Sequence, residues 1–305
     1  KGPENHRINR KGTDFNMNRD LLNQIQTAFP TFSKGQKYIA KYITEHYDKA
    51  AFMTASKLGS IVGVSESTVV RFASELGYEG YPQLQKALQE LIRNKLTSVQ
   101  RMEVSSDILG GGDVLEKVCN SDIDKIRKTL AEISRADFEG AVNAIVNARK
   151  VYILGVRSAA ALASFIGFYF HLILENVQLV HTVSDSEMFE QIMRVGPQDV
   201  VIGISFPRYS KRTVNAMKFC TERGATAVSI TDSSLSPLYP YSRYNLLARS
   251  DMASFVDSLV APLSVINALI VSVGMKRQSD VVRTFAELEH IWDEYGVYAK
   301  TDNNH

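Results

Sequence analysis

The sequence predicts two domains: an all-α front half, then an α/β half whose five-stranded parallel sheet is flanked by helices. Three observations predict this. The chain has 305 residues, enough for about two domains, and its 45% hydrophobic and 22% charged content is that of folded globular protein, which excludes a wholly disordered chain. From Leu21 to about Leu96 the apolar residues recur at helical spacing, with no run of strand-like alternation. Beyond Val114 the rhythm changes, and short apolar runs alternate with helical segments of ten to eighteen residues.

Residues 1–16 are polar and aperiodic, and are expected to form a disordered tail ahead of Met17, a natural start residue. Residues 17–96 form the expected helical domain. Helix Lys34–His46 turns Ile39, Tyr42 and Ile43 inward as a support. Thr54 caps a second helix that buries Ala55, Leu58 and Val62. Gly59 stands where another helix must cross closely, Gly63 suits the positive φ of a tight turn, and Val64 fills the space beneath it. Ser65 caps the next helix, whose inward stripe is Val69, Phe72 and Leu76, and Gly77 ends it. Two helices joined by a glycine turn make a helix-turn-helix. The outer face of the second helix carries Ser65, Glu66, Ser67, Thr68 and Arg71. Hydroxyls and free amides at a helix N-terminus suit phosphate oxygens, and Arg71 can fork onto guanine or hold a phosphate. These five are the candidate DNA contacts. The plainer readings are an N-cap for Ser65 and a solvated charge for Arg71.

Residues 97–113, with Gly110 to Gly112, read as a linker. Residues 114–295 form the second domain. Val114–Ile133 shows a helical face, and Asp137 is the expected cap of a helix through Ala148. The expected strands are Val151–Leu154, Val177–Val180, Val200–Ile204, Ala225–Ile230 and Asn245–Ala248. Right-handed βαβ units place ligands beyond the strand C-terminal ends. The first strand ends in Gly155-Val-Arg-Ser158 and the third in Ser205-Phe-Pro-Arg-Tyr-Ser-Lys-Arg-Thr213. Hydroxyls, amides and cations at such ends suit phosphate or carboxylate. The candidate ligand residues are Arg157, Ser158, Ser205, Arg208 and Ser210; helix capping by Ser210 beside solvated basic residues is the alternative. Ser184 to Glu187, Ser254 and Ser258 read as caps or rim contacts. The stripe from Val260 to Ile270 reads as core or as a dimer face. Residues 296–305 are an expected disordered tail.

The run Val64-Ser-Glu-Ser-Thr-Val-Val-Arg-Phe, followed by Leu76-Gly-Tyr-Glu-Gly-Tyr81, resembles the N-terminal domain of the RpiR/MurR family of bacterial transcription regulators. That family joins such a domain to a sugar isomerase (SIS) domain, and the resemblance runs from about Met17 to Trp292. It implies a double-stranded DNA operator and a small anionic effector, a phosphosugar or related acid. It also implies a homo-oligomer, dimer or tetramer, a cytoplasmic location and no membrane contact. It implies that Ser158, Ser205 and Ser210 hold a phosphate. Two departures stand out: the family usually has glycine where this chain has Arg157, and Ser-Gly where it has Pro207-Arg208. Tyr78 and Tyr81 are expected to pack behind the recognition helix.

Charge agrees with that order. Residues 34–95 hold nine Lys/Arg against six Asp/Glu, while the whole chain is only +2, so the front is mildly basic and the back mildly acidic. Two cysteines without a spacing motif, Cys119 and Cys220, form neither a disulfide framework nor a zinc site and suit a reducing compartment. The longest apolar run, Ile166 to Leu174, contains His171 and is too short for a bilayer. The six His are scattered, so no metal is expected, and no cofactor either. The alternative function is a phosphosugar isomerase with an accessory helical domain. It needs a general base, for which Glu175, Glu187 and His181 are the candidates, none at a spacing tied to that role. The expectation is a regulator, not an enzyme.

Overall fold

In the computed structural model, residues 17–92, 99, 101–102, 112–182, 184–250 and 256–298 are described. The expected tail 1–16, most of the linker 97–113, Ser254, and residues 299–305 lie outside them. The described residues up to 114, with 256, form one compact unit, and those at 115–250 and 257–298 form a second.

The first unit is helical: α1 Met17–Ala28, α2 Lys34–Glu45, α3 Tyr47–Ala50, α4 Ala55–Val62, α5 Glu66–Glu75 and α6 Tyr81–Ile92. Ser33 starts α2 with a capping box, its hydroxyl accepting from the Gln36 amide while the Gln36 side chain accepts from the Ser33 N–H. Gln36 Nε2 then donates to Glu75 at 2.8 Å, tying α2 to the end of α5. Ile39, Ile43, Leu58, Val69, Phe72, Leu84 and Leu88 are all fully buried, so the apolar faces of α2, α4, α5 and α6 meet in one core. Ala55 and Val62, expected inside, are only half-buried.

Tyr81 packs in this core rather than on a binding surface. Its hydroxyl donates to the carbonyls of Met53 (2.9 Å) and Ala50 (3.2 Å), which fixes the chain after α3. Burial pushes the phenol up to about 12. The folded state therefore holds this proton more tightly than the unfolded chain, whose tyrosine titrates near pH 10. That stabilisation is complete below about pH 10 and is lost as pH rises from about 10 to about 12. Tyr81→Phe is expected to flatten this alkaline limb, measured as urea-melt stability between pH 8 and 11. A limb as steep as that of the native protein would assign it to another group.

The second unit has α7 Val114–Glu132, α8 Arg135–Val146, β1 Lys150–Gly155, α9 Ala159–Ile173, β2 Val177–Val180, α10 Asp185–Ile192, β3 Asp199–Ile204, α11 Lys211–Glu222, β4 Thr226–Thr231, β5 Tyr244–Leu247, α12 Val260–Lys276 and α13 Gln278–Glu294. The five strands are parallel in the order β2-β1-β3-β4-β5. One sheet face, with Val151, Ile153, Ile202 and Val228, packs against Ile145, Ile166, Phe170, Ile266 and Leu269 of α8, α9 and α12. The other, with Tyr152, Leu154, Val201 and Ala227, packs against Met188, Ile192, Met217 and Cys220 of α10 and α11. This is why the strands read as continuous apolar runs: both faces are covered. The stripe Val265, Ile266, Leu269 and Ile270 is core.

Several expected features shift. Ser134, not Asp137, caps α8, accepting from the Asp137 N–H at 3.1 Å. The Asp137 carboxylate instead accepts from the Asn245 N–H at 3.0 Å and so covers the outer edge of β5. Cys220 is buried, and burial pushes its thiol up to about 12, so at neutral pH it is a packed apolar group rather than a nucleophile. Residues 296–298 stay on α13: the Val297 N–H donates to the Trp292 carbonyl, and the Tyr298 ring meets Trp292 edge-on at 5.3 Å.

Candidate functional sites

Two sites arise, one in each unit. In the first, Gly63 takes φ 75° and ends α4, and the chain re-enters a helix at Ser65. Ser65 Oγ accepts from the Thr68 N–H at 3.3 Å. It also lies 2.9 Å from both Ser67 Oγ and Thr68 Oγ1. The hydroxyls of this first turn are thus held as one cluster at the positive end of α5. Arg71 Nε donates to the Ser67 carbonyl at 3.3 Å, laying the guanidinium along the outer face. Glu66, Ser67 and Arg71 are exposed, and Thr68 is half-buried. The structure thus brings Ser65, Ser67, Thr68 and Arg71 together on one rim. Glu66 sits beside them with its carboxylate in the first turn, where the helix dipole favours it. The sequence reading missed Val70. It is 39% exposed on the outer face between Ser67 and Ser74, beside the inward stripe of Val69, Phe72 and Leu76, and an apolar side chain there carries no polar signal of its own.

In the second unit the strand order places a reversal of winding between β1 and β3, where a parallel sheet opens a crevice at its C-terminal edge. The loops after these two strands form a cleft of about 50 Å³ lined by Arg157, Ser158, Ser205, Pro207, Arg208, Ser210 and Asp257, among others. All five sequence-predicted ligand residues therefore meet in one place. Ser205 is buried, and its Oγ accepts from the Ser210 N–H at 3.1 Å, which sets the curvature of the second loop. Its carbonyl accepts from Thr231 Oγ1 at 2.8 Å. Ser210 caps α11, its hydroxyl accepting weakly from the Thr213 N–H at 3.5 Å. Ser158 opens α9 without a side-chain cap bond, and it is exposed. Thr231 and Asp232 shape the rim: Asp232 Oδ1 accepts from the Tyr209 hydroxyl at 2.7 Å.

The other expected contributors go elsewhere. Arg212 pairs with Asp185, and Glu187 accepts from the Thr182 hydroxyl, so this acidic turn is engaged within the unit. Ser258 donates to Asp122 at 2.6 Å. Glu175 lines a different cavity with Arg149, Asn176 and Arg277, next to the N-terminal ends of β1 and β2. None of Glu175, Glu187 and His181 lines the cleft. Asp257 does, and sequence reasoning missed it because it comes from an aperiodic segment after β5.

A helix-turn-helix unit with a polar outer face, joined in sequence to a doubly wound domain with a hydroxyl- and arginine-lined crevice, defines a two-domain regulator. Residues 19–95 match the helix-turn-helix domain of the rpiR family, and residues 144–272 match the SIS domain. The chain is an RpiR-family transcriptional regulator with a SIS domain. It is 26% identical over 268 residues to an uncharacterized HTH-type transcriptional regulator of Caldanaerobacter subterraneus, covering 87% of this chain and 94% of the relative. It is 23% identical over 266 residues to the HTH-type transcriptional regulator HexR of Pseudomonas aeruginosa, covering 86% and 92%. Among solved structures, the sugar isomerase domain of an RpiR transcription factor from Sphaerobacter thermophilus matches 59% of this chain and 99% of that one, with TM-score 0.56 and 25% identity. The Vibrio vulnificus NanR protein complexed with ManNAc-6P matches 92% and 100%, with TM-score 0.57 and 20% identity.

Proposed function

We propose that α5 reads an operator in duplex DNA and that the sheet domain senses a small anionic metabolite, whose binding changes operator affinity. The observation that carries the sensing half is the convergence of Ser158, Ser205, Ser210, Arg157 and Arg208 in one crevice at the strand C-terminal ends. Hydroxyls and helix N-termini solvate phosphate oxygens, and arginines supply charge-assisted hydrogen bonds. The fold shared with NanR, whose complex holds a phosphosugar, supports the same reading. Regulation then follows from linkage: the effector shifts operator affinity by the difference in its affinity for the two states. Glu175, Glu187 and His181 lie outside the cleft, which favours a sensor; Asp257, which lines it, is the carboxylate an isomerase reading has to use. A chain acting on DNA this way works in the cytoplasm. A second copy would cover exposed apolar residues of α9 and α12, namely Phe168, Val271 and Met275, and set the spacing of two recognition helices.

Two substitutions test the halves separately. Arg71→Ala is expected to weaken operator binding by about 1–3 kcal/mol, measured by fluorescence anisotropy across a salt series. Unchanged affinity at every salt concentration would remove Arg71 from the interface. Ser205→Ala is expected to spare operator binding and to weaken the effector response about tenfold, since it leaves the Ser210 N–H without its acceptor. A full response would move the pocket elsewhere. Interconversion of sugar phosphates by the purified protein would favour the isomerase reading.

A further inference from the structure

Val70 stands on the outer face of α5 among Glu66, Ser67, Arg71 and Ser74, and all five are exposed. Glu66 and Ser74 lie four residues to either side of it and Ser67 three residues before it, so they are its neighbours on the helix surface. Two of the polar neighbours are tied back to the helix's own backbone. Ser74 Oγ donates to the Val70 carbonyl at 3.3 Å, and Arg71 Nε donates to the Ser67 carbonyl at 3.3 Å. The face thus has an apolar centre inside a polar ring. A single exposed valine is ordinary on a protein surface, and its location is what singles this one out. Packing does not require it, because Val69, Phe72 and Ala73 fill the inner side of α5. Helix stability does not require it, because valine is a poorer helix former than alanine. What valine brings is stiffness: branching at Cβ leaves one strongly preferred rotamer in a helix, so the isopropyl group is held in place before a partner arrives.

Resting on the reading of α5 as the helix that reads the operator, we propose that Val70 selects a thymine by packing against its C5-methyl group. That methyl is the apolar group on the major-groove edge of the bases, where the other landmarks are hydrogen-bond donors and acceptors. Over a thymine, the isopropyl group and the methyl remove each other's apolar surface from water. Over any other base edge, the same side chain strips water from a polar group and returns no hydrogen bond. Val70 lies about 4.5 Å along the helix axis from Ser67. The hydroxyl cluster at the start of α5 can therefore hold the phosphate backbone and fix the register while Val70, further along the helix, meets a base.

The test is fluorescence anisotropy of the full chain on a duplex it enriches from a random pool, with each thymine replaced in turn by deoxyuridine, which lacks only the methyl. At one thymine or more, the replacement is expected to weaken binding about three- to fivefold, the worth of one buried methyl. Val70→Ala is expected to weaken binding to the unmodified duplex by a similar factor. The variant is also expected to be indifferent to deoxyuridine at that same position, with a change below about 1.5-fold. Alanine raises helix propensity, so the variant folds, which a thermal melt checks. Insensitivity to deoxyuridine at every thymine in the native protein, or an equal penalty in both proteins, would overturn the assignment of Val70 and leave α5 as the reading helix. Failure to enrich any duplex would overturn both.

Discussion

Gly59→Val is expected to abolish operator binding and to lower the stability of the helical unit by about 3 kcal/mol. A Cβ at Gly59 would lie 2.7 Å from the Val64 carbonyl oxygen and 3.4 Å from the Glu66 nitrogen. Both neighbours are backbone atoms of the turn that sets the angle between α4 and α5, so no side chain can swing away. The turn must open, and Ser65, Ser67 and Thr68 leave the rim together because their hydroxyls form one cluster. Gly59→Ala is milder, since alanine gains about 1 kcal/mol of helix propensity against the same clash. Gly63→Ala is the control. Nothing lies within 4 Å of its Cβ position, and its φ of 75° costs about 1–2 kcal/mol without blocking the crossing. Urea melts with anisotropy on one duplex separate the cases. Native binding by Gly59→Val would mean the crossing tolerates a branched side chain.

Asp122→Ala is expected to destabilise the sheet domain by about 3–5 kcal/mol, whereas Lys125→Met is expected to be near neutral. Lys125 is buried on α7, its ammonium donating to Ser121 Oγ at 2.7 Å and to Asp122 Oδ1 at 3.2 Å. Asp122 also accepts from Ser258 Oγ at 2.6 Å. Removing the carboxylate strands a buried cation and a hydroxyl. Removing the ammonium leaves an apolar stem of similar shape and a carboxylate still bonded to Ser258. The double variant should recover most of the loss, because the stranded cation is gone. Strictly additive losses in chemical melts would show that the two groups do not depend on each other.

Much of the fold is legible in the sequence because its signals are local. Thr54, Ser65 and the glycines around them mark helix ends by chemistry that acts within four residues, and the strands are apolar runs covered on both faces. The loops at Ser158 and Ser205 are legible because strand ends are. The order of the strands is set by which runs pair, and that long-range choice makes the β1/β3 crevice. Asp257 reaches the cleft only through it. Asp137 reads as a cap in the sequence because its carboxylate suits both a local cap and a distant amide, and its actual donor, the Asn245 N–H, lies 108 residues away. The positive φ of Arg157 (57°) and Arg208 (67°) is likewise invisible in residue identity, since arginine seldom adopts it.

The most direct measurement is an anisotropy titration of the full chain on a duplex it has itself enriched from a random pool, with and without the tightest-binding anionic metabolite. The account predicts saturable, salt-sensitive binding that exceeds binding to an unrelated duplex by about a thousandfold, and a shift of at least about fivefold when the metabolite is added. Equal affinity for both duplexes, untouched by the metabolite, would contradict it.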